Sequence, residues 1–226
     1  MRDRRRHTGD AAPRDLLDAV IAACPEALDE RRLGSLYRQL FGTIIGTVGY
    51  AVAWSLLQAC SSLPPETAWP WPSDWINRES ARHRPVVWMV GRSAPGPVEL
   101  GGMSFPAGTV LSVSPYLLHH DPRAWADPHA FQPERWKHPE QCGPWLPFSA
   151  GPFTCAGAAI AHTMINETLD ALAEGARLTV TGGDTRPLVT DRAGPRPFTL
   201  HRVRRPRPTG EPRAHARSTV KGGDHS

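Results

Sequence analysis

The pattern of apolar and polar residues predicts several helices separated by proline-rich turns. Apolar residues at helical spacing predict a short helix over Arg14–Ala23 and a long one over Leu33–Cys60. The two longest internal windows without proline, residues 26–63 and 153–186, are where long helices can form. We expect further helices over Ile76–His83, Leu117–Asp121 and Ala158–Ala176.

Short segments bounded by glycine and proline predict a limited amount of β structure. Three of them form one small sheet in this interpretation: Val86–Met89, Val98–Leu100 and Thr109–Val113. A late pair of strands is expected at Leu178–Val180 and Phe198–His201. The fold class is therefore mainly α with a small β region. Residues 14–204 form the folded domain, between disordered basic ends at 1–13 and 205–226.

The long predicted helix contains an uncharged run from Gln39 to Pro65. This run is long enough to cross a bilayer, and Gly42 with Gly46 forms a GxxxG pair. Polar residues such as Thr43 and Gln58 interrupt it, and they favour a helix buried on all sides within the protein. A single-span membrane protein is the alternative interpretation, and no membrane association is expected.

Charge and cysteine content exclude several classes of protein. The net charge of +4 is concentrated in the arginine-rich ends, where no aromatic residues are interleaved as nucleic-acid binding would require. Four widely spaced cysteines indicate neither a disulfide framework nor a zinc site. No apolar segment follows the basic start, so we expect no secretory signal and a cytoplasmic location.

Phe148–Gly157 is the segment most indicative of chemistry. Cys155 precedes a predicted helix, whose unpaired amides favour a thiolate and a soft-metal ligand. Gly151 and Gly157 allow a flat ligand to approach the backbone, and Phe148 supplies an apolar wall. A buried structural cysteine is the alternative. The segment closely resembles the haem-binding signature of the cytochrome P450 family.

Two upstream segments also resemble this family. Glu79 and Arg82 form an ExxR pair, whose spacing places both side chains on one helix face. Phe131–Trp136 resembles the PERF or PERW segment, in which Arg135 completes a Glu–Arg–Arg cluster. Either motif alone carries little information, but both together with the cysteine signature, in family-like order and spacing, are specific.

The resemblance covers only the C-terminal half of the family fold: the distal helix, the ExxR helix, the small sheet, the cysteine loop and the following helix. It implies haem b, with Cys155 as the axial ligand of the iron, and Glu79, Arg82 and Arg135 in structural roles. The implied activity is a monooxygenase that inserts one oxygen atom from O₂ into a small organic substrate. A separate ferredoxin or a flavin-type protein would donate the electrons.

Two further roles follow from the resemblance alone. Arg92 matches a cation that reaches a haem propionate, although it could equally be a solvated turn residue. Thr47 matches the catalytic threonine that organises proton delivery, although it could bond to its own helix. Gly46 replaces the usual acid before that threonine, and Phe153 replaces a propionate-binding cation. These departures leave a second hypothesis: a truncated or degenerate homologue without catalytic activity that binds haem weakly or acts with a partner.

Overall fold

The computed structural model describes residues 12–23, 29–65 and 67–204. Helix α1 spans Leu16–Ala23, and α2, at 32 residues, spans Glu30–Ser61. The remaining α-helices are α3 (Ser73–His83), α4 (Pro115–His119) and α5 (Ala158–Ala173). Three short 3₁₀ helices lie at Pro133–Lys137, Pro139–Gln141 and Gly151–Phe153. The mainly α character predicted from the sequence is confirmed.

The β structure consists of four antiparallel two-stranded sheets within the described ranges. Strands β1 (Val90–Ser93) and β4 (Val110–Val113) pair, as do β2 (Val98–Leu100) and β3 (Met103–Phe105). The longest pair joins β5 (Ala176–Gly182) to β8 (Phe198–Arg204), with Val180 opposite Leu200. The short strands β6 (Leu188–Val189) and β7 (Ala193–Gly194) form the fourth sheet.

The main core lies where α2, α3, α5 and β5 meet. Its buried residues are Leu56, Ala59, Ile76, Ile165, Leu169 and Leu178. Burial of such aliphatic side chains contributes about 1.5–3 kcal/mol each. Asp29 is the N-cap residue of helix α2, and its Oδ1 accepts a hydrogen bond from the Arg32 amide at 2.8 Å.

The prediction that the long helix is buried on all sides was wrong. Its buried residues are Leu33 and the consecutive run from Trp54 to Ala59, because only the C-terminal end enters the core. Earlier residues, including Leu40, Phe41 and Ile45, are exposed. The helix is long and apolar enough to span a membrane by length and composition alone, and 22% of its most apolar window is buried.

The predicted small sheet was partly wrong. Val86–Met89 is not a strand, because Val86 packs against Trp54 and Leu57 and its carbonyl accepts a hydrogen bond from the Ala193 amide. Val98–Leu100 is present as β2, and residues 110–113 of the third segment form β4. These two strands lie in separate pairs, β2 with β3 and β4 with β1, which begins at Val90. The late pair at β5 and β8 is confirmed. The disordered ends predicted at 1–13 and 205–226 lie outside the described residues, apart from Ala12 and Pro13, and the domain bounds stay a prediction.

A buried carboxylate, that of Glu79 on α3, joins α3 to the Pro133–Lys137 turn. Arg82 binds it through two parallel hydrogen bonds, from Nε to Oε2 at 3.0 Å and from Nη2 to Oε1 at 2.8 Å. Arg135 Nε donates to Oε1 at 3.1 Å, and Trp136 Nε1 donates to Oε2 at 3.0 Å. The Gln132 amide is a fifth donor, at 2.9 Å from Oε1. The side chains of Glu79 and Arg82 are both 0% exposed.

Arg82 in turn binds three backbone carbonyls from the loops around it. Its Nη1 donates to His119 O at 2.9 Å and to Pro128 O at 2.8 Å, and its Nη2 donates to Ala130 O at 2.8 Å. Every charged group in the cluster is thus compensated by partners, which a buried ion pair requires.

We predict that Glu79→Ala and Arg82→Ala each destabilise the fold by about 3–5 kcal/mol, because each leaves a buried charge without its partner. Arg186→Ala is the matched control, since Arg186 pairs with Asp184 on the surface and is 81% exposed. Loss of that exposed pair should cost about 0.2–1 kcal/mol. Urea unfolding followed by circular dichroism measures all three, and equal costs for Arg82→Ala and Arg186→Ala would contradict the prediction.

Three histidines are buried beside this cluster, and their environment keeps them neutral. Burial lowers the pKa of His83 to about 3, and the nearby Arg84 and Arg82 charges add to this effect. Burial also lowers the pKa values of His119 and His120 to about 4. Above pH 6.5 these histidines are neutral in both the folded and the unfolded chain.

Stability should therefore fall as the pH drops from about 6.5 towards about 4. In that window the unfolded chain binds protons at His83, His119 and His120 while the folded chain does not. Each histidine contributes a slope of roughly 1.4 kcal/mol per pH unit. The urea midpoint measured from pH 7.5 to 4.5 checks this, and His120→Asn should reduce the slope. A pH-independent midpoint would be the opposite result.

Candidate functional site

The segment before α5 forms a tight loop that ends at Cys155. The Cys155 amide donates to Phe148 O at 2.9 Å and closes the loop. Inside it, the Thr154 amide donates to Gly151 O at 3.1 Å, and the Ser149 amide donates to Leu146 O at 3.3 Å. The position of the thiol therefore depends on backbone hydrogen bonds at both ends of the loop.

Two residues of this loop adopt left-handed backbone conformations. Gly151 has φ 64°, a region that glycine enters without steric cost. Ser149 has φ 63°, which is uncommon for a residue with a Cβ atom and typical of functional loops. Gly157 has an ordinary φ of −90°, so its backbone does not require glycine. A Cβ atom there would meet only the Cys155 sulfur, at 3.9 Å, and would project into the open space beside it.

Cys155 differs from the other described cysteines in its exposure. Its thiol is exposed, and α5 begins three residues later without a side-chain cap on its first amides. Burial raises the pKa of Cys60 to about 11 and also raises the pKa of Cys142, so both are neutral thiols at pH 7. Cys24 lies outside the described residues. Of the three described thiols, that of Cys155 is best placed to bind a metal ion.

Phe148 forms the packed side of the loop. Its ring lies 5.0 Å from the ring of His162 on α5 and 6.1 Å from that of Trp145, centroid to centroid. The Trp145 indole N–H donates to Arg78 O on α3 at 3.3 Å. The loop is therefore packed against both α3 and α5.

Arg92 and Phe153, which are distant in sequence, lie together beside the cysteine. The Arg92 Cζ atom is 3.5 Å from the centroid of the Phe153 ring, a cation–π contact. Both residues are exposed, Phe153 to 56%. The guanidinium of Arg92, on β1, thus lies over Phe153, which is two residues before Cys155 in the sequence. A carboxylate bound beside the cysteine could contact this guanidinium.

Thr47 lies at mid-length of α2, one residue before Val48, which packs against the core that α5 shares. Within the part of the chain that the structure describes, its hydroxyl makes no hydrogen bond. Thr163 and Thr168 on α5, in contrast, bond back to their own helix. Next to Thr47, a Cβ atom on Gly46 would collide with the Arg192 guanidinium, so a cation borders the helix where the resemblance expects an acid.

Helices α2 and α5 each expose apolar side chains one turn apart. Phe41 and Ile45 are 47% and 57% exposed on α2, and Ile160 and Met164 are 62% and 40% exposed on α5. Exposed apolar surface of this kind is typical of ligand-binding or interaction sites. The open thiol of Cys155 and the nearby Arg92 cation suit a group that carries its own metal and bears carboxylates.

A haem fits these residues better than a bare metal ion does. No group of three or more histidine, cysteine or acidic side chains that could hold a metal occurs in the described part of the chain. A single thiolate binds a metal firmly when the group supplies the other ligands, as a porphyrin does. Cys155 would be the axial ligand, and Arg92 the cation facing a propionate.

The structure brings together most of the residues singled out from the sequence. Glu79, Arg82 and Arg135 form one cluster, while Phe148, Gly151, Cys155, Gly157 and Arg92 surround the loop. Within the described ranges, no hydrogen bond, ion pair or ring contact joins Thr47 to this loop. The sequence interpretation missed Trp136, Ser149 and His119. A side chain that binds a distant backbone amide, as His119 binds Leu146, leaves no signal in the sequence.

Comparison with known proteins identifies the family. The family model described as cytochrome P450 matches residues 74–192, which is more than half of the chain. The chain is 39% identical over 112 residues to cyclooctat-9-en-7-ol 5-monooxygenase of Streptomyces melanosporofaciens, covering 47% of this chain and 24% of that protein. It is 38% identical over 100 residues to thromboxane-A synthase of Sus scrofa, covering 42% and 19%. The matched regions thus span a quarter or less of these relatives.

Solved structures show the same fold. A zebrafish cytochrome P450 with abiraterone superposes with a TM-score of 0.71 at 23% identity, covering 89% of this chain and 59% of that one. A cytochrome P450 designated CYP102L1 superposes with a TM-score of 0.72 at 19% identity, covering 90% and 56%. The chain therefore corresponds to somewhat more than half of these structures. On the match of the family model and the shared fold, this chain belongs to the cytochrome P450 family.

Proposed function

We propose that this chain is the haem-thiolate part of a monooxygenase that inserts one oxygen atom from O₂ into a small organic substrate. The observation that carries the proposal is the exposed thiol of Cys155, in a backbone-closed loop before the uncapped start of α5. Family membership supports the same reaction class. The reduced, carbon-monoxide-bound absorption spectrum tests it, because that spectrum reports whether a thiolate binds haem iron.

The bound haem b would supply the oxygen chemistry, and the thiolate would increase electron density at the metal. The chain's own contribution is to position the ligand. The bond from the Cys155 amide to Phe148 O fixes the backbone at the sulfur, and the first amides of α5 favour its thiolate form. Gly157 leaves the space beside the sulfur open, and Gly151 permits the turn.

Arg92 and Thr47 have separate roles in this proposal. The Arg92 guanidinium would bind a propionate bidentately, on the side of the loop that Phe153 leaves without a cation. Thr47, whose hydroxyl has no partner among the described residues, would donate a proton or orient water on α2. Glu79, Arg82 and Arg135 act through the fold and not on the substrate.

The partners and location follow from the same proposal. Electrons would come from a ferredoxin or a flavin-type donor, and neither nucleic acid nor membrane is a partner. A cytoplasmic location is part of the proposal, and the burial of the C-terminal segment of α2, from Trp54 to Ala59, in the protein core is the observation that supports it.

A second candidate is a homologue without catalytic activity that binds haem weakly or acts with a partner. Two observations favour it: Phe153 stands where the resemblance expects a cation, and α2 leaves Phe41 and Ile45 exposed. An open pocket admits water and weakens control over proton delivery. The product formed per NADPH therefore separates the two candidates, because only the first candidate forms product.

We predict that Cys155→Ser abolishes the thiolate-type band of the reduced carbon monoxide complex, because a hydroxyl is a poor ligand for iron and is not ionised at pH 7. Far-ultraviolet circular dichroism should remain unchanged, since the side chain is exposed. Cys142→Ser is the matched control and should keep the band, because the Cys142 thiol is half-buried against Arg135 O. A band that survives in Cys155→Ser and is lost in Cys142→Ser would reverse the assignment.

We predict that Arg92→Ala speeds haem loss about 10- to 100-fold, because a charge-assisted hydrogen bond contributes about 1.5–3 kcal/mol. Transfer of haem to apomyoglobin measures the rate. Arg123→Ala is the control, since Arg123 is 89% exposed and pairs only with Asp121 among the described residues. Equal rates in both variants would mean that Arg92 is a solvated turn residue.

The product formed per NADPH should distinguish the active enzyme from the inactive homologue, since weak haem retention is expected of both and no product is expected of the homologue. The 226-residue chain is reconstituted with haem, passed over a desalting column and assayed with NADPH and a surrogate ferredoxin system. Because an open pocket releases reducing equivalents as hydrogen peroxide, we expect weak retention and less than one product per NADPH. Tight retention with near-stoichiometric product would establish a complete small enzyme.

A further inference from the structure

His119, the last residue of α4, forms two hydrogen bonds with Arg82. Its carbonyl accepts from Arg82 Nη1 at 2.9 Å, and its ring Nδ1 lies 3.2 Å from Arg82 O. The side chain is 0% exposed, and its ring packs edge-on against Trp125. Since a carbonyl can only accept, Nδ1 carries the ring proton and donates it to Arg82 O.

The other ring nitrogen of His119 reaches the cysteine loop. The Leu146 amide donates to Nε2 at 2.8 Å across 27 residues of sequence. Leu146 O accepts from the Ser149 amide, and Phe148 O accepts from the Cys155 amide. An uninterrupted path of hydrogen bonds and short backbone segments thus runs from the Glu79–Arg82 cluster through His119 to the thiol.

The ring is held in the form that this path requires. Burial, aided by the nearby Arg82 charge and His120, lowers the pKa of His119 to about 4. The imidazole is therefore neutral at pH 7, with Nε2 free to accept. A second hydrogen bond, from the Trp145 indole N–H to Arg78 O, also holds the loop. It differs from the Leu146 bond in that it lies one residue earlier and its donor is a side chain and not the backbone.

We propose that His119 is a positioning residue for the axial cysteine, fixing the start of the loop through the Leu146 amide so that the sulfur is held in place for the metal. The inference rests on the proposed function for its consequence at the metal, while the bond itself is a property of the haem-free fold. His119 does not touch a substrate or a reacting atom.

Two substitutions distinguish the hydrogen bond made by Nδ1 of His119 from the one made by Nε2. His119→Asn places an amide near the position of Nδ1 and keeps the bond to Arg82 O, but it cannot reach Leu146. His119→Gln places an amide oxygen near the position of Nε2 and keeps the Leu146 bond. His120→Asn is the matched control, since His120 is buried next to His119, its Nδ1 lies 2.8 Å from Tyr116 O, and its Nε2 makes no hydrogen bond among the described residues.

The first readout uses the haem-free chain. Hydrogen–deuterium exchange of the peptide containing Leu146 should be about tenfold faster in His119→Asn, the factor expected for loss of one ordinary hydrogen bond, and unchanged in His119→Gln and His120→Asn. The second readout is the reduced carbon monoxide spectrum, in which His119→Asn should lose part of its thiolate band while His119→Gln keeps it. Leu146→Pro removes the same donor but also fixes φ at that position, so it is compared by the thiolate band alone. It should lose part of that band, and it replaces His119→Asn in this readout if that variant is insoluble.

The outcomes distinguish this inference from the proposed function. Faster exchange in His119→Asn with no thiolate band in the wild-type chain would overturn the proposed function. The hydrogen bond from Leu146 to His119 would then stabilise the loop but would have no role in metal binding. Unchanged exchange in His119→Asn, or an equal loss of the thiolate band in His119→Asn, His119→Gln and His120→Asn, would overturn the positioning role.

Discussion

The buried carboxylate of Glu79 is the constraint on which the rest of the structure depends. A carboxylate with no exposed surface is tolerated only when all its lone pairs are satisfied, and here Arg82, Arg135, Trp136 and the Gln132 amide satisfy them. These donors come from one helix and one distant turn. The turn, the helix and the loops that bind Arg82 must therefore occupy fixed relative positions for the charge to remain buried.

The site inherits its geometry from that constraint. Helix α3 carries Glu79 and Arg82 on its buried face, and its Arg78 carbonyl binds Trp145 of the cysteine loop. His119, whose carbonyl accepts a hydrogen bond from Arg82, accepts a second one from the Leu146 amide of the same loop through its ring Nε2. The exposed thiol of Cys155 is thus held by a scaffold whose polar groups are buried, and mobility at the thiol is limited without any side-chain contact to the sulfur itself.

The sequence predicted this architecture where it leaves a local signal. Helices with strong apolar periodicity were located within a few residues, and the Glu79–Arg82 spacing predicted an ion pair that the structure contains. Among the shortest strands, Val98–Leu100 was predicted, but Met103–Phe105, Leu188–Val189 and Ala193–Gly194 were missed, because two or three residues are too few to show a period. Val86 looked like part of a strand because burial against Trp54 selects the same residue type as a sheet does.

The candidate site was predictable from the sequence to a different extent. The cysteine and its glycines form a contiguous motif, so Cys155 could be singled out directly. The contact between Arg92 and Phe153 and the bond between His119 and Leu146 join distant segments, and one partner in the latter is a backbone amide common to nearly all residues. The exposed residues of α2 could not be predicted, because exposure depends on which other elements pack against the helix. The uncharged composition of α2 carries no information on that packing.

The span of the Glu79 cluster has a consequence for the order of folding. Glu79 receives donors from residues 53 to 57 positions later, so a long loop must close before the carboxylate loses its water. Until then the charge is better solvated in an open chain, which opposes early docking of helix α3 even though its Ile76 joins the apolar core. The cluster should accordingly form late and all at once, and a nascent chain that ends before Trp136 cannot yet bury Glu79 with its full set of partners.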